Sequence, residues 1–439
     1  MPDDMRQNYD VAAALAEAEA RFAEANPKSG AAYADACRGM PGGNTRTVLF
    51  YPPYPLMLAR GEGCRLFDLD GHAYVDFQVE QTAGIYGHSE AKILDAVRAA
   101  MSEGITLGGP TVREARLASL FQSRFPAVEL VRFTNSGTEA NLLALATARA
   151  VTGREKLIGF KGSYHGSVIS FGPYGNSLNV PFPWTFCRYN DIEGARAAIR
   201  EIAQDLAAVI LEPMTGSGGC IRATPEFIAM LREETEKAGA LLMFDEVMTS
   251  RLSPGGLHGA WGVKPDIVTF GKYLGGGLTF GAFGGKAAIM ERFDPRRPGA
   301  LAHAGTFNNN VLTLAAAIAG LEEVYTPAAA TKLNAAGDAL RERLNGVLKA
   351  AGVAGQVTGI GSMMMVHLTG EALTSPEDSG KVSPDLRGLL HMAMIERGYY
   401  MARRNMIVLS LPMTAVEIDG LVGAFEDAIR QYRDILPRA

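Results

Sequence analysis

The sequence predicts an α/β protein: a mainly parallel central sheet with helices on both faces, joined to a smaller α+β domain. Two observations carry this expectation. Between about Ala83 and Gly320, apolar β-rich runs alternate with Ala-rich helical segments, the rhythm of strand-helix-strand units. Those runs are apolar at successive positions rather than alternate ones, as strands covered on both faces require. At 439 residues, 47% hydrophobic and 20% charged, the chain is long enough to bury roughly three quarters of its unfolded surface without a disulfide or metal staple.

Each element follows from local pattern. Val11 to Ala25 places Ala, Leu and Phe at helical spacing between Glu and Arg, an amphipathic opening helix. From Leu56 to Phe77, short β-runs are broken by Gly61, Gly63 and Asp70-Gly71, the punctuation of an antiparallel subdomain. Strands are expected at Val131–Thr134, Lys156–Phe160, Ala207–Leu211, Leu241–Phe244, Ile267–Phe270 and Gly281–Gly285. After Thr326 come long amphipathic helices, short strands near Gly361–His367 and Met406–Leu411, and a helix from Ala415 to Ile435. The expected division is 1–82 as an N-terminal segment of the small domain, 83–325 as the large domain, and 326–439 as the C-terminal small domain.

Composition narrows the function. A formal charge of −5 gives no electrostatic footprint for nucleic acid or an anionic membrane. The four cysteines, Cys37, Cys64, Cys187 and Cys220, form no CxxC pair, and the histidines lack metal-ligand spacing, so no metal site is expected. Met1 to Asp10 lacks the basic patch and apolar run of a signal peptide, and no stretch reaches 18 apolar residues. A soluble, cytoplasmic protein is expected.

Three segments carry chemistry. In Asn135-Ser136-Gly137-Thr138-Glu139-Ala140-Asn141 a strand ends in a small polar turn that opens a helix, so free N–H groups and hydroxyls form an anion site suited to phosphate. The same residues serve equally as a simple helix cap. No Walker A motif is present, so a nucleotide is not the obvious source of that phosphate. In Leu241-Leu242-Met243-Phe244-Asp245-Glu246-Val247 an apolar strand runs into two carboxylates, placing Asp245 at a carboxyl strand end, where ligands sit in open α/β sheets. In Phe270-Gly271-Lys272 a lysine ends the next strand and precedes Gly275-Gly276-Gly277.

Together these groups match the needs of pyridoxal phosphate: an anion site, an acid for the pyridine nitrogen and an amine for the Schiff base. A carboxylate about 4 Å from a pyridinium contributes roughly 4 kcal/mol at an effective dielectric of 20, about three pKa units. Asp245 and Lys272 lie one strand-helix-strand step apart, so neighbouring strands can present both to one ring.

The segments NSGTEAN, FKGSYHG, LEPMTGSGG, FDEVMTS, FGKYLGGGLTFGAFGG and AGTFNNN resemble class III, fold type I aminotransferases, in the branch holding glutamate-1-semialdehyde aminomutase and the β-phenylalanine aminotransferases. The resemblance spans roughly Met40 to Pro412. It implies that Lys272 is the Schiff-base lysine and proton shuttle, that Asp245 pairs with the pyridinium, and that Val247 presses on one ring face while Tyr164 stacks on the other. It implies Ser136, Gly137 and Thr138 around the phosphate, Glu212 in an outer layer, and a homodimer in which Thr306 reaches the neighbouring subunit's cofactor. Two departures touch the local loop: Ser250 stands where the family commonly has glycine, and Arg251-Leu252 where it has a Phe-Arg pair.

A carboxylate-bearing substrate calls for arginine's planar fork. The resemblance places Arg46, after the Met40–Thr45 loop, and Arg404, before Asn405-Met406, at substrate positions, with Arg403 an equal candidate beside Arg404. This pattern points to amino transfer from a β-amino acid, (S)-β-phenylalanine first, to 2-oxoglutarate or pyruvate. Phe50, Tyr51, Tyr54 and Tyr86 either line a phenyl pocket or are core aromatics, with core expected for at least two. The alternatives are a semialdehyde-type aminomutase, an ω-amino acid or amine aminotransferase, and a non-enzymatic sensor or scaffold. A scaffold is expected to have lost Lys272 or Asp245, and a DNA-reading sensor needs a basic helix-turn-helix domain for which the N-terminal segment leaves no room.

Overall fold

The computed structural model describes residues 3–172 and 176–439. Its centre is a seven-stranded sheet in the order β4-β10-β9-β8-β7-β5-β6, built from β4 (Leu130–Thr134), β5 (Lys156–Phe160), β6 (Trp184–Cys187), β7 (Leu206–Leu211), β8 (Leu241–Asp245), β9 (Ile267–Gly271) and β10 (Gly281–Gly285). Strands β5 to β9 are parallel where they pair, whereas β10 runs antiparallel to both β4 and β9. Every residue of β7, β9 and β10 is buried, which is why these runs carry no alternation. Strand β6 was not expected from sequence: at the sheet edge its Trp184 and Thr185 are half-buried, Phe186 is exposed and only Cys187 is buried.

The N-terminal strands β1 (Leu58–Glu62), β2 (Arg65–Asp68) and β3 (Ala73–Asp76) form an antiparallel meander, extended by β13 (Tyr399–Tyr400), which pairs parallel to β3. A third sheet holds β11 (Gln356–Ile360), β12 (Met363–His367) and β14 (Met406–Val408). The helix Asp3–Ala25 packs its Val11, Leu15, Ala18 and Phe22 stripe against the helix Pro384–Glu396 of the C-terminal part. One apolar cluster therefore runs from the first helix through the meander into the last helices, and N- and C-terminal segments share a core.

That shared core disposes of the aromatic pocket. Tyr51 is buried against Phe22 and His391, and Tyr86 is buried among the same apolar residues. Tyr54 packs on Phe22 and Tyr33, while Phe50 is exposed beside Tyr33. None of the four lines the cleft described next.

Candidate active site

The carboxyl ends of β4, β5, β7, β8 and β9 surround a cleft of about 510 Å³. Strand β4 ends at Thr134, and the helix Gly137–Thr152 starts three residues later with Ser136 as its N-cap, the Ser136 hydroxyl accepting from Glu139 N at 3.1 Å. The first N–H groups of that helix, on Gly137 and Thr138, have no intrahelical acceptor and belong to residues that line the cleft, an arrangement suited to an anion. Gly137 has to be glycine, because a Cβ there would lie 2.8 Å from the Val247 methyls. Gly166, at φ +130°, likewise lets the Tyr164-His165-Gly166 turn close onto Thr138.

Strand β8 delivers Asp245, and strand alternation sends its neighbour Glu246 the other way. Glu246 is buried and accepts from Leu257 N, His258 N and His258 Nδ1, so it anchors the short helix Gly256–Ala260 instead of facing the cleft. Asp245 is fixed by three donors. Its Oδ2 accepts from Asn141 Nδ2 and pairs with His165 Nδ1, each at 2.8 Å, and its Oδ1 accepts from Val247 N at 3.0 Å.

Strand β9 pairs with β8 so that Asp245 lies opposite Thr269, three residues before Lys272. Lys272 adopts φ +56°, a left-handed conformation that costs a non-glycine residue about 1–2 kcal/mol. Burial first, then the Arg404 and Arg46 charges, bring its ammonium down from 10.5 to about 8. Roughly a tenth of it is then free amine at pH 7, hundreds of times the fraction of an ordinary lysine. Of the glycines that follow, Gly275 packs on Phe280 and Gly276 on Ala316, so these two serve the fold.

Tyr164 is 45% exposed, with its backbone N–H held by Glu212 Oε1 at 3.0 Å. Glu212 is buried beneath it and also accepts from Gly216 N at 2.8 Å; burial raises its carboxyl to about 7. Arg46 lines the same cleft and pairs with Glu80. Of the two adjacent C-terminal arginines, Arg404 lies on the Lys272 side: it bonds Gln81 and exerts its charge on Lys272 and Tyr164, without itself lining the cleft. Arg403 instead reaches the opposite side, against Gly388 and the first helix, where its charge acts on Glu19 and His391. Thr306 is exposed and lies outside the cleft, although Asn308, two residues on, accepts from Asn135 Nδ2 at 2.9 Å beside the helix start.

An anion cradle, a braced carboxylate on one strand and a half-buried amine on the next are a donor set that fits pyridoxal phosphate. Residues 50–379 match the aminotransferase class-III family. The chain belongs to that family. This aminotransferase is 50% identical over 426 residues, 97% of its length and 98% of the relative's, to a β-phenylalanine transaminase of Variovorax paradoxus. It superimposes on the crystal structure of a β-phenylalanine aminotransferase from that organism with a TM-score of 0.96, covering 98% of this chain and 100% of that one. An ω-transaminase from Sphaerobacter thermophilus is 36% identical, with a TM-score of 0.87 over 92% and 98% of the two chains. A glutamate-1-semialdehyde aminomutase from Pseudomonas aeruginosa, solved with pyridoxamine phosphate, is 26% identical with a TM-score of 0.88 over 96% and 98%. The aminotransferase is thus a fold type I enzyme whose cofactor is pyridoxal 5′-phosphate.

Four residues of the site escaped the sequence reading. Asn141 and His165 lay inside quoted segments, yet nothing in the string shows that both reach Asp245. Glu80 and Gln81 sit in a turn, Val79–Thr82, whose four residues all have positive φ (48°, 45°, 54° and 83°) without a glycine. Such a turn has no sequence signal, and tertiary bonds hold it against strain of about 1–2 kcal/mol per residue. Asp76 Oδ1 accepts from Gln78 N and Val79 N, and Arg251 donates to Thr82 O at 3.1 Å. Arg251, one of the family departures, is fully buried and also donates to Leu409 O and Ser362 Oγ. It thereby ties the loop after Asp245 to both the left-handed turn and the C-terminal strands.

Proposed function

We propose that this aminotransferase moves the amino group of a β-amino acid, with (S)-β-phenylalanine the foremost donor, to 2-oxoglutarate or pyruvate. The observation that carries the reading is that Arg46, from the N-terminal loop, lines the Lys272 cleft and pairs with Glu80, while Arg404, from the C-terminal domain, bonds Gln81 of the same turn and brings its charge to bear on Lys272. Their likeness in position to a carboxylate grip is supported by the 50% identical relative named for β-phenylalanine. When bound, the cofactor supplies an aldehyde that captures amines and a ring that delocalises the electrons left on the substrate carbon.

The protein's own groups do the rest. Lys272 would hold the cofactor through its amine and, once free, would move the proton of the amine-bearing carbon. Asp245, held rigid by His165, Asn141 and Val247 N, keeps a proton on the ring nitrogen. Val247 and Tyr164, which line the cleft, would hold the ring between them, and the Ser136-Gly137-Thr138 cradle would hold the phosphate. Thr306 belongs to this proposal as a contact to a second subunit in a homodimer, which suits its exposure. A cytoplasmic setting, resting on composition, completes it.

The test is product analysis with (S)-β-phenylalanine and 2-oxoglutarate. Glutamate should appear in step with loss of the donor. Absence of glutamate, with glutamate-1-semialdehyde instead rearranged, moves the assignment to the aminomutase.

A further inference from the structure

Outside the cleft, two arginines bring positive charge into the interior without a carboxylate to meet it. Arg251 is fully buried and donates to Ser362 Oγ, Thr82 O and Leu409 O, all uncharged. Arg124 ends the helix Val112–Arg124 and donates to Pro254 O at 3.0 Å and Tyr325 O at 2.6 Å, again to carbonyls. Among the described residues neither has an acidic partner. Burial brings Arg251 down from 12.5 only to about 10, so it stays charged at neutral pH. Charge held in the interior is costly unless a counter-charge and hydrogen bonds meet it.

Four buried polar groups between these arginines are also unpartnered. The hydroxyls of Tyr86, Tyr273 and Ser250, and Arg124 Nη2, have no hydrogen bond among the described residues. They are neighbours. The Tyr273 ring meets Tyr325 edge-on at 5.3 Å, and the Arg124 guanidinium lies over the Tyr325 ring at 5.1 Å. Burial, then the adjacent Tyr273, pushes the Tyr86 hydroxyl well up; burial does the same to Tyr273, opposed first by the Arg124 charge, with Ser250 close enough to act on that hydroxyl. Both phenols therefore remain protonated donors and supply no negative charge. Tyr86 reaches this point because residue 320 is glycine, where a Cβ would stand 2.6 Å from its hydroxyl.

We propose that Arg124 Nη2, the Tyr86 and Tyr273 hydroxyls and Ser250 Oγ enclose a buried site for a small monovalent anion of the halide class, with Arg251 supplying the second positive charge. Water satisfies hydroxyls but leaves two cations unanswered, whereas an anion accepts from all four groups through charge-assisted bonds. A carboxylate or phosphate calls for arginine's two-pronged fork, and Arg124 offers one free nitrogen, so a spherical ion fits better. Tyr273 directly follows Lys272, and Ser250 stands in the turn Thr249–Leu252 beyond Asp245. The ion thus joins the two segments that leave the amine and the acid. None of its donors lines the cleft, which separates this site from any substrate grip.

The test uses the pyridoxal-phosphate-loaded enzyme. Its thermal midpoint is followed as potassium chloride replaces potassium gluconate at constant ionic strength. The midpoint should rise by a few degrees and saturate, as a site present only in the folded state requires. Y273F and S250A each remove one donor and should raise the half-saturating chloride concentration about tenfold. Crystals grown without chloride and soaked in sodium bromide should show bromine anomalous scattering between Arg124, Tyr86 and Tyr273, a readout that needs no variant to fold. Absence of the bromine signal overturns the proposal and leaves the hydroxyls to water. Absence of a chloride-dependent shift overturns it too, as does a half-saturating concentration unchanged in Y273F, which would place the responsive site elsewhere.

Discussion

His165 Nδ1 lies 2.8 Å from Asp245 Oδ2, with both side chains buried at the floor of the cleft. The carboxylate is thereby fixed in orientation, with Asn141 and Val247 N completing its bonds. A carboxylate beside a pyridinium contributes roughly 4 kcal/mol at an effective dielectric of 20, equivalent to about three orders of magnitude in rate when lost. Asp245→Asn should therefore lower kcat about a thousandfold while the protein still binds pyridoxal phosphate. Stopped-flow measurement of the half-reaction with the amino donor checks this; a loss below tenfold would show that Asp245 does not hold the ring proton.

Lys272 combines a strained backbone with a depressed ammonium, brought to about 8 by burial and by the two arginines. The sign of the linkage follows: a folded value below the unfolded 10.5 gives stability that is present above about pH 10.5 and is lost as pH falls through about 8. In protein freed of cofactor, capture of pyridoxal by Lys272, fixed with borohydride and located by mass spectrometry, should be half-maximal near pH 8. A midpoint near 10.5 contradicts the electrostatic account. Lys272→Ala should give no adduct at that position and no turnover, with an unchanged circular dichroism spectrum.

The adjacent arginines should behave unequally. Arg404 bonds Gln81 and bears on Lys272, whereas Arg403 packs near the first helix. Arg404→Ala should raise KM for carboxylate-bearing substrates about tenfold or more, since charge-assisted bonds of this kind are the strong ones. Arg403→Ala should leave KM within about twofold. Equal effects would show that the grip lies elsewhere.

Arg251 is buried and donates to three acceptors on separate segments. Removing it orphans Thr82 O and Leu409 O, each at about 1–3 kcal/mol. Arg251→Leu should lower the unfolding midpoint by several degrees in a thermal melt and, by releasing the Val79–Thr82 turn, weaken carboxylate binding. A melt coincident with that of the unaltered protein would show that the turn holds itself.

Much of the site was legible because strand ends impose position. Asp245 and Lys272 could be placed together from the spacing of two apolar runs, and Ser136 to Thr138 from a strand-to-helix junction. The apolar runs also gave the strands, including Gly281–Gly285, but a string of buried residues does not encode direction, and β10 proved antiparallel. What remained hidden depends on long-range contact: the partners of Asp245, the side on which each of Arg403 and Arg404 falls, and a left-handed turn made without glycine. The aromatic residues Phe50, Tyr51, Tyr54 and Tyr86 could not be sorted one by one for a related reason, since core packing and pocket lining draw on the same residue types; Tyr51 and Tyr86 are core, as expected of at least two.

The most direct test of the central assignment is a single-turnover absorbance scan of the pyridoxal-phosphate-loaded enzyme with (S)-β-phenylalanine and no acceptor, beside glutamate and alanine. The Lys272-bound pyridoxal band should give way to the pyridoxamine band with β-phenylalanine and return on addition of 2-oxoglutarate. Persistence of the original band with β-phenylalanine would contradict the β-amino acid assignment.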